Sequence, residues 1–171
     1  ARGPGDLAGK RIGLLSHAAA VDGALNPAAR RLLRAPGFTL TTLFAPEHGL
    51  AGAAQAGAAS PAARDPQTGL PVVSLYRDPP PLTAGRTLDE AMRDFDLRLD
   101  GKGPRPADLK GIDALLIDLF DVGTRIYTYA ATLLLCLAAC AEAGVPVLVL
   151  DRPNPLGGSA EGPVIDHPSF A

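Results

Sequence analysis

The chain predicts an α/β fold, a Rossmann-like doubly wound sheet that is mainly parallel and has helices on both faces. Three observations carry this. Short runs rich in Val, Ile, Leu and Thr recur along the chain, helical patterns lie between them, and polar clusters stand where each apolar run gives out. Strands alternating with helices of this length build βαβ crossovers, which wind a single parallel sheet. The carboxyl ends of such strands share one rim, where open α/β sheets place ligands.

The elements follow in order. RIGLL opens the sheet and gives way to Ser16-His17. Asn26-Pro27 reads as an N-cap followed by Pro at the first helical position, AARRLLR supplies the turns, and Pro36-Gly37 stops them. LTTLFA is the next strand and ends at Pro46-Glu47-His48-Gly49. From Gly52 to Pro66 the chain is Ala, Gly, Gln and Pro and reads as loop, after which GLPVVSLY supplies another strand. A polar insertion runs over 77–111, with three prolines from Pro79 to Pro81 and a short helix expected from Thr87 to Asp96. Loops this long inside a compact domain are commonly functional covers or disordered. ALLIDLF then ends at Asp121-Val122-Gly123-Thr124-Arg125. The segment from Tyr129 to about Glu142 is apolar nearly all round and closes at Gly144-Val145-Pro146, so it is expected to be buried against the sheet. VPVLVL is the last strand and runs into Asp151-Arg152-Pro153-Asn154.

Composition fits one globular domain over 1–171: 47% hydrophobic and 20% charged residues over 171 positions are enough for a real core. A net charge of −2 offers no basic surface, which argues against nucleic acid as a partner. The apolar run around Leu133 to Leu137 is far short of the ~20 residues a membrane span needs. Cys136 and Cys140 lie four apart on one helix face and read as small core hydrophobes.

Several chemistries drop out. After the first strand the chain reads LLSHAAAVDG, with no G-x-G-x-x-G to cradle a pyrophosphate, so no dinucleotide cofactor is expected. No phosphate loop of the G-x-x-x-x-G-K-S/T type occurs, and Gly157-Gly158-Ser159-Ala160-Glu161 lacks the closing glycine of a serine-hydrolase elbow. Three scattered histidines, His17 and His48 among them, do not have metal-ligand spacing.

A site of carboxylates, histidine and arginine remains. Glu47 follows an apolar strand end, and partial desolvation there suits a carboxyl to giving a proton to a leaving oxygen; the alternative is a structural salt bridge. Asp121 with Gly123, Thr124 and Arg125 can hold a polar ligand or merely cap the following helix. Asp151, Arg152 and Asn154 stand between prolines that fix the backbone, and an internal Asp–Arg pair is the plainer reading. Tyr127 and Tyr129 offer a hydroxyl or a stacking face, or pack in the core.

The strings FAPEHGL, DVGTRIYTYAATL, VLDRPNPLGG and EGPVID, with AGAAQAG and TGLPVVSLY, closely resemble the NamZ-like exo-β-N-acetylmuramidase family, formerly domain-of-unknown-function family 1343. The resemblance covers nearly the whole chain outside 77–111. It implies a Rossmann-like N-terminal domain whose cleft is closed by a C-terminal domain absent from this chain, and a secreted or periplasmic setting. It further implies cofactor-free hydrolysis of terminal β-linked N-acetylmuramic acid from the non-reducing end of peptidoglycan fragments. Carried over by position, Glu47 is the acid or acid/base, Asp121 is the candidate second carboxyl, and His48, Arg125, Tyr129, Asp151, Arg152 and Asn154 fall on cleft motifs. An arginine among them matches the lactyl carboxylate of muramic acid, since a planar fork fits a carboxylate. An N-acetyl sugar can also supply its own nucleophile. The chain departs from the family pattern at Ser16-His17-Ala18-Ala19-Ala20, at Leu119-Phe120 and at Ala54 and Ala58, where amide or acidic side chains are usual. Two alternatives to the glycosidase stand beside it: a non-catalytic sugar-binding or interaction domain, and a Rossmann-like enzyme acting on another polar small molecule.

Overall fold

The computed structural model describes residues 4–58, 63–77 and 102–164. The expected helix from Thr87 to Asp96 and most of the 77–111 insertion lie outside the described residues. After a 3-10 turn at Pro4–Leu7 come β1 (Arg11–Ser16), α1 (Ala28–Leu33), β2 (Thr39–Ala45), β3 (Ala63–Arg64), β4 (Pro71–Ser74), β5 (Ala114–Asp118), α2 (Tyr129–Ala143) and β6 (Val147–Val149). The six strands form one sheet in the order β3-β4-β2-β1-β5-β6. All neighbours pair in parallel except β3, which lies antiparallel on the edge. Leu14 is flanked by Leu43 on one side and Leu116 on the other, so β1 is the centre of the sheet. The chain builds outward from β1 through β2 and β4, then crosses to β5 and β6. Its direction therefore reverses at β1, and the rim there is a topological switch point.

Strand alternation assigns the two faces. Leu15, Phe44, Leu75, Leu115 and Ile117 face α2 and pack with its Cys136, Ala139 and Cys140. Ile12, Leu14, Leu40, Leu43 and Leu116 form a second core on the opposite face, against Ala29 and Leu32 of α1. Both faces are covered, which is what near-continuous apolar strands require. Gly13 marks how close the layers come: a Cβ there would stand 2.8 Å from Phe44 Cε2 and 2.9 Å from Ile112 Cδ1.

Three local expectations are corrected. The α1 boundary shifts by one residue, with Pro27 at the N-cap position and Asn26 outside it. The Asn26 amide is drawn away to the Asp22 carboxylate, which also accepts the Asn26 and Ala24 backbone N–H groups. The stretch from Gly52 to Pro66 contains β3, a two-residue strand that its Ala-Arg sequence does not announce. Finally, α2 is buried on one side only: Thr132, Cys136, Ala139 and Cys140 face inward, while Leu134 and Leu137 are exposed. Its C-terminus closes as expected. Gly144 is left-handed at φ 66°, and the Val145 N–H donates to Cys140 O at 2.9 Å, a Schellman closure.

Candidate active site at the carboxyl rim

Glu47 stands two residues past β2, in a tight turn. His48 takes a left-handed φ of 67° and Gly49 one of 76°. A non-glycine residue in that region costs on the order of 1–2 kcal/mol, and two bonds hold it there. His48 Nδ1 bonds Ala54 O at 2.9 Å, and the Ala54 N–H donates to His48 O at 3.1 Å. A carbonyl only accepts, so Nδ1 carries the proton, and Nε2 of this exposed residue has no partner among the described residues. Strain of this kind, over-determined by its surroundings, is typical of functional turns.

The turn aims the Glu47 carboxyl across the rim toward α2. Oε1 accepts the Gly57 N–H at 2.9 Å, and Oε2 accepts the Thr128 hydroxyl at 2.7 Å. Thr128 is the residue before α2, and its hydroxyl makes no capping bond, so it is left for Glu47. The Tyr76 phenol lies among Glu47, Thr128 and Thr132, and burial pushes its pKa up. Tyr129 is buried as well; burial first, then Tyr127, Glu47 and Tyr76, raise its pKa strongly. Its ring meets Tyr127 at 4.6 Å and His17 edge-on at 4.8 Å. Glu47 thus sits in a nest of neutral hydroxyls and aromatic faces.

His17 continues this layer under the rim. It is buried, and its Nε2 accepts the Phe120 N–H at 3.0 Å, which places the ring proton on Nδ1. Burial lowers its pKa; Asp118 opposes the shift and Arg152 adds to it. Phe120 leads directly into Asp121. The Asp121 Oδ1 accepts the Gly123 N–H at 2.7 Å in a local turn, and Oδ2 has no protein partner among the described residues.

The remaining residues expected in the site divide into two groups. Arg152 is spent internally: Nε and Nη2 donate to the two oxygens of Asp118 at 2.6 and 2.8 Å, and Nη1 donates to Val21 O at 3.2 Å. Asp118 is 1% exposed, so this pair ties the ends of β5 and β6 to the loop after β1. The internal Asp–Arg pair exists, but the acid is Asp118 and not Asp151. Asp151 is exposed and has no bond or ion pair among the described residues. Asn154 folds back on itself, its Oδ1 accepting the Leu156 N–H at 2.9 Å. Its amide lies so close to Gly123 that a Cβ there would come within 2.4 Å of Nδ2. Arg125 is exposed and donates through Nη2 to Pro163 O at 2.9 Å.

One rim therefore carries Glu47, Asp121 and Asp151, at the ends of three parallel strands. Thr128 and Tyr76 stand beside Glu47 although the sequence singles out neither as a site residue; their signal is their place within the strings DVGTRIYTYAATL and TGLPVVSLY. Asp118 had a signal, a carboxylate inside an otherwise apolar strand. Among the described residues, no group of three His, Cys, Asp or Glu side chains is placed to hold a metal ion.

The family model described as "Exo-beta-N-acetylmuramidase NamZ, N-terminal" matches residues 12–170. The chain belongs to this family. It is similar to the peptidoglycan beta-N-acetylmuramidase NamZ of Bacillus subtilis (strain 168), with 42% identity over 166 residues, covering 96% of this chain and 34% of that protein. Two solved structures of DUF1343 family proteins from Bacteroides fragilis NCTC 9343 share the fold. One has a TM-score of 0.69 at 36% identity over 90% of this chain and 32% of its own; the other has 0.64 at 30% over 94% and 35%. The chain thus spans about a third of the length of the relatives it matches. In this chain the P-E-H-G turn and the D-R-P-N loop are among the stretches that the geometry brings to the sheet rim.

Proposed function

We propose that this chain is the acid-bearing N-terminal part of a β-N-acetylmuramidase that releases terminal β-linked N-acetylmuramic acid from the non-reducing end of peptidoglycan fragments. The observation that carries the reading is Glu47, presented by a strained turn and bonded at both oxygens by groups from two other segments. A hydroxyl both donates and accepts, so Thr128 can serve Glu47 in either protonation state. The Gly57 N–H fixes the carboxyl plane. Protonated Glu47 gives its proton to the glycosidic oxygen as the bond to the anomeric carbon breaks and the remaining fragment leaves as an alcohol. A water then adds to the anomeric carbon and returns its proton to Glu47, while the buried, neutral tyrosines support the site from beneath. Asp121, with one oxygen unclaimed by the protein, is the second carboxyl, facing the developing positive charge at the ring. Arg152, His17 and Asp118 hold the loops in place, and His48 holds the turn.

The chain's own cleft is only part of the wall such a reaction needs, and the remaining walls come from the rest of the longer protein. Turnover of a chromogenic β-N-acetylmuraminide tests the reading. In the full-length protein Glu47→Gln is expected to lower turnover by about 10²–10⁴-fold with the fold intact, and the 171-residue chain alone is expected to bind weakly without turnover. Near-normal turnover by the Gln variant on a substrate with a poor leaving group would leave Glu47 structural and favour a sugar-binding module.

A further inference from the structure

The Glu47 cluster lies on the α2 side of the sheet. On the α1 side a second concavity opens, a cleft of about 280 Å³ between the end of β1, α1 and the turn at 65–68. Small apolar groups wall it: Ala18, Pro27, Ala29, Leu43, Leu50 and Ala51. Three polar side chains in its lining have no partner among the described residues: Ser16, Arg30 and the exposed Gln67. Ser16 is 4% exposed, yet its hydroxyl has no hydrogen-bond partner among the described residues. Buried hydroxyls are almost always satisfied, and an unsatisfied one calls for an explanation. Arg30 makes no hydrogen bond or ion pair among the described residues either, whereas Arg11, Arg31, Arg77, Arg105 and Arg152 each hold a carboxylate. Arg34 is equally unpaired but does not line the cleft. The acid in the wall, Asp65, is engaged through one oxygen: its Oδ2 accepts both the Thr68 N–H at 2.8 Å and the Thr68 hydroxyl at 2.6 Å, while Oδ1 has no partner among the described residues.

We propose that this cleft binds a short carboxylate with a small apolar body, the carboxylate meeting the Arg30 guanidinium and a polar atom of the ligand meeting the Ser16 hydroxyl. A guanidinium fork fits a carboxylate with two parallel bonds, and the alanine, proline and leucine walls suit a methyl-bearing carbon next to it. Two groups share that chemistry: a lactyl ether on a sugar, and the carboxyl end of an alanyl peptide. The cleft stands close to the Glu47 turn, because Leu50 and Ala51 of its lining directly follow that turn and His17 of its lining touches Tyr129. The lactyl assignment rests on the muramidase reading; the carboxylate site itself does not.

Isothermal titration of the full-length protein decides it, with N-acetylmuramic acid, N-acetylglucosamine and D-alanyl-D-alanine as probes and Arg30→Gln and Ser16→Ala as variants. Arg30 is exposed on α1, and Gln is a good helix former, so the fold is expected to survive. N-acetylmuramic acid is expected to bind better than N-acetylglucosamine, and Arg30→Gln to weaken it about tenfold without changing the affinity for N-acetylglucosamine. Loss of alanyl-peptide affinity in Arg30→Gln, with N-acetylmuramic acid unchanged, would keep the carboxylate site and assign it to a peptide. Unchanged affinity for both carboxylates in Arg30→Gln would overturn the proposal, while the effect of Glu47→Gln on turnover would still judge the muramidase reading separately.

Discussion

Arg152 stands where a ligand-binding arginine was expected, and its removal separates the two roles. In Arg152→Ala the Asp118 carboxylate, 1% exposed, loses both oxygens' partners at once, and Val21 O loses its donor. Breaking one side of a buried ion pair typically costs about 3–5 kcal/mol, because the surviving charge is left uncompensated. The Arg152 side chain keeps 31% of its exposure, so water can reach the vacated space and the low end, about 3 kcal/mol, is the better figure. For a domain of this size that is a fall in Tm of about 6–12 °C. Circular dichroism melts of the parent, Arg152→Ala and the double variant Arg152→Ala/Asp118→Leu measure it. The double variant is expected to recover much of the loss, since no buried charge remains. A ligand-binding arginine would behave in the opposite way, with an unchanged melt and weakened sugar binding. A fall of less than about 2 °C would refute the structural assignment.

Two further outcomes are expected. Because the His17 pKa is lowered in the folded chain, the unfolded chain binds more protons as pH drops below about 6.5, so stability is full above that value and declines toward the folded pKa. Denaturant unfolding across pH 5–7.5 reads this slope, His17→Gln should flatten it, and parallel slopes in the two proteins would exclude His17 as its source. Gly13→Ala drives a methyl against Phe44 and Ile112 and should cost about 1–3 kcal/mol in the same assay, with Phe44→Leu as the compensating change.

Much of the frame was readable from the chain because it rests on local patterns. Apolar runs buried on both faces can only be central strands of a covered sheet, and helix-length spacers between them force the strands to run parallel. That placed the ends of β2, β5 and β6 on one rim. What depends on partners distant in sequence was not readable. The bond between Asp118 and Arg152 spans 34 residues and that between Glu47 and Thr128 spans 81; nothing at Arg152 distinguishes a guanidinium meant for a neighbouring strand from one meant for a ligand. Local competition misled as well. Asn26 has the chemistry of an N-cap, but the Asp22 carboxylate offers its amide a charged acceptor. The exposed leucines of α2 show the limit of periodicity: an all-apolar helix tells how much surface needs cover, not what covers it.

The seam between α2 and the sheet carries its own reporter. Cys136 and Cys140 are the only two cysteines in the chain, both unpaired and both in that seam. Burial pushes their thiols up to about 12 and about 11, so at neutral pH almost no thiolate is present and a thiol reagent cannot reach the sulfurs from outside. Their chemical reactivity is therefore a clock for the helix lifting away. Because Thr128 and Tyr129 begin that same helix, the rate at which the cysteines are modified measures how long the ground beneath Glu47 stays still, with no foreign probe introduced.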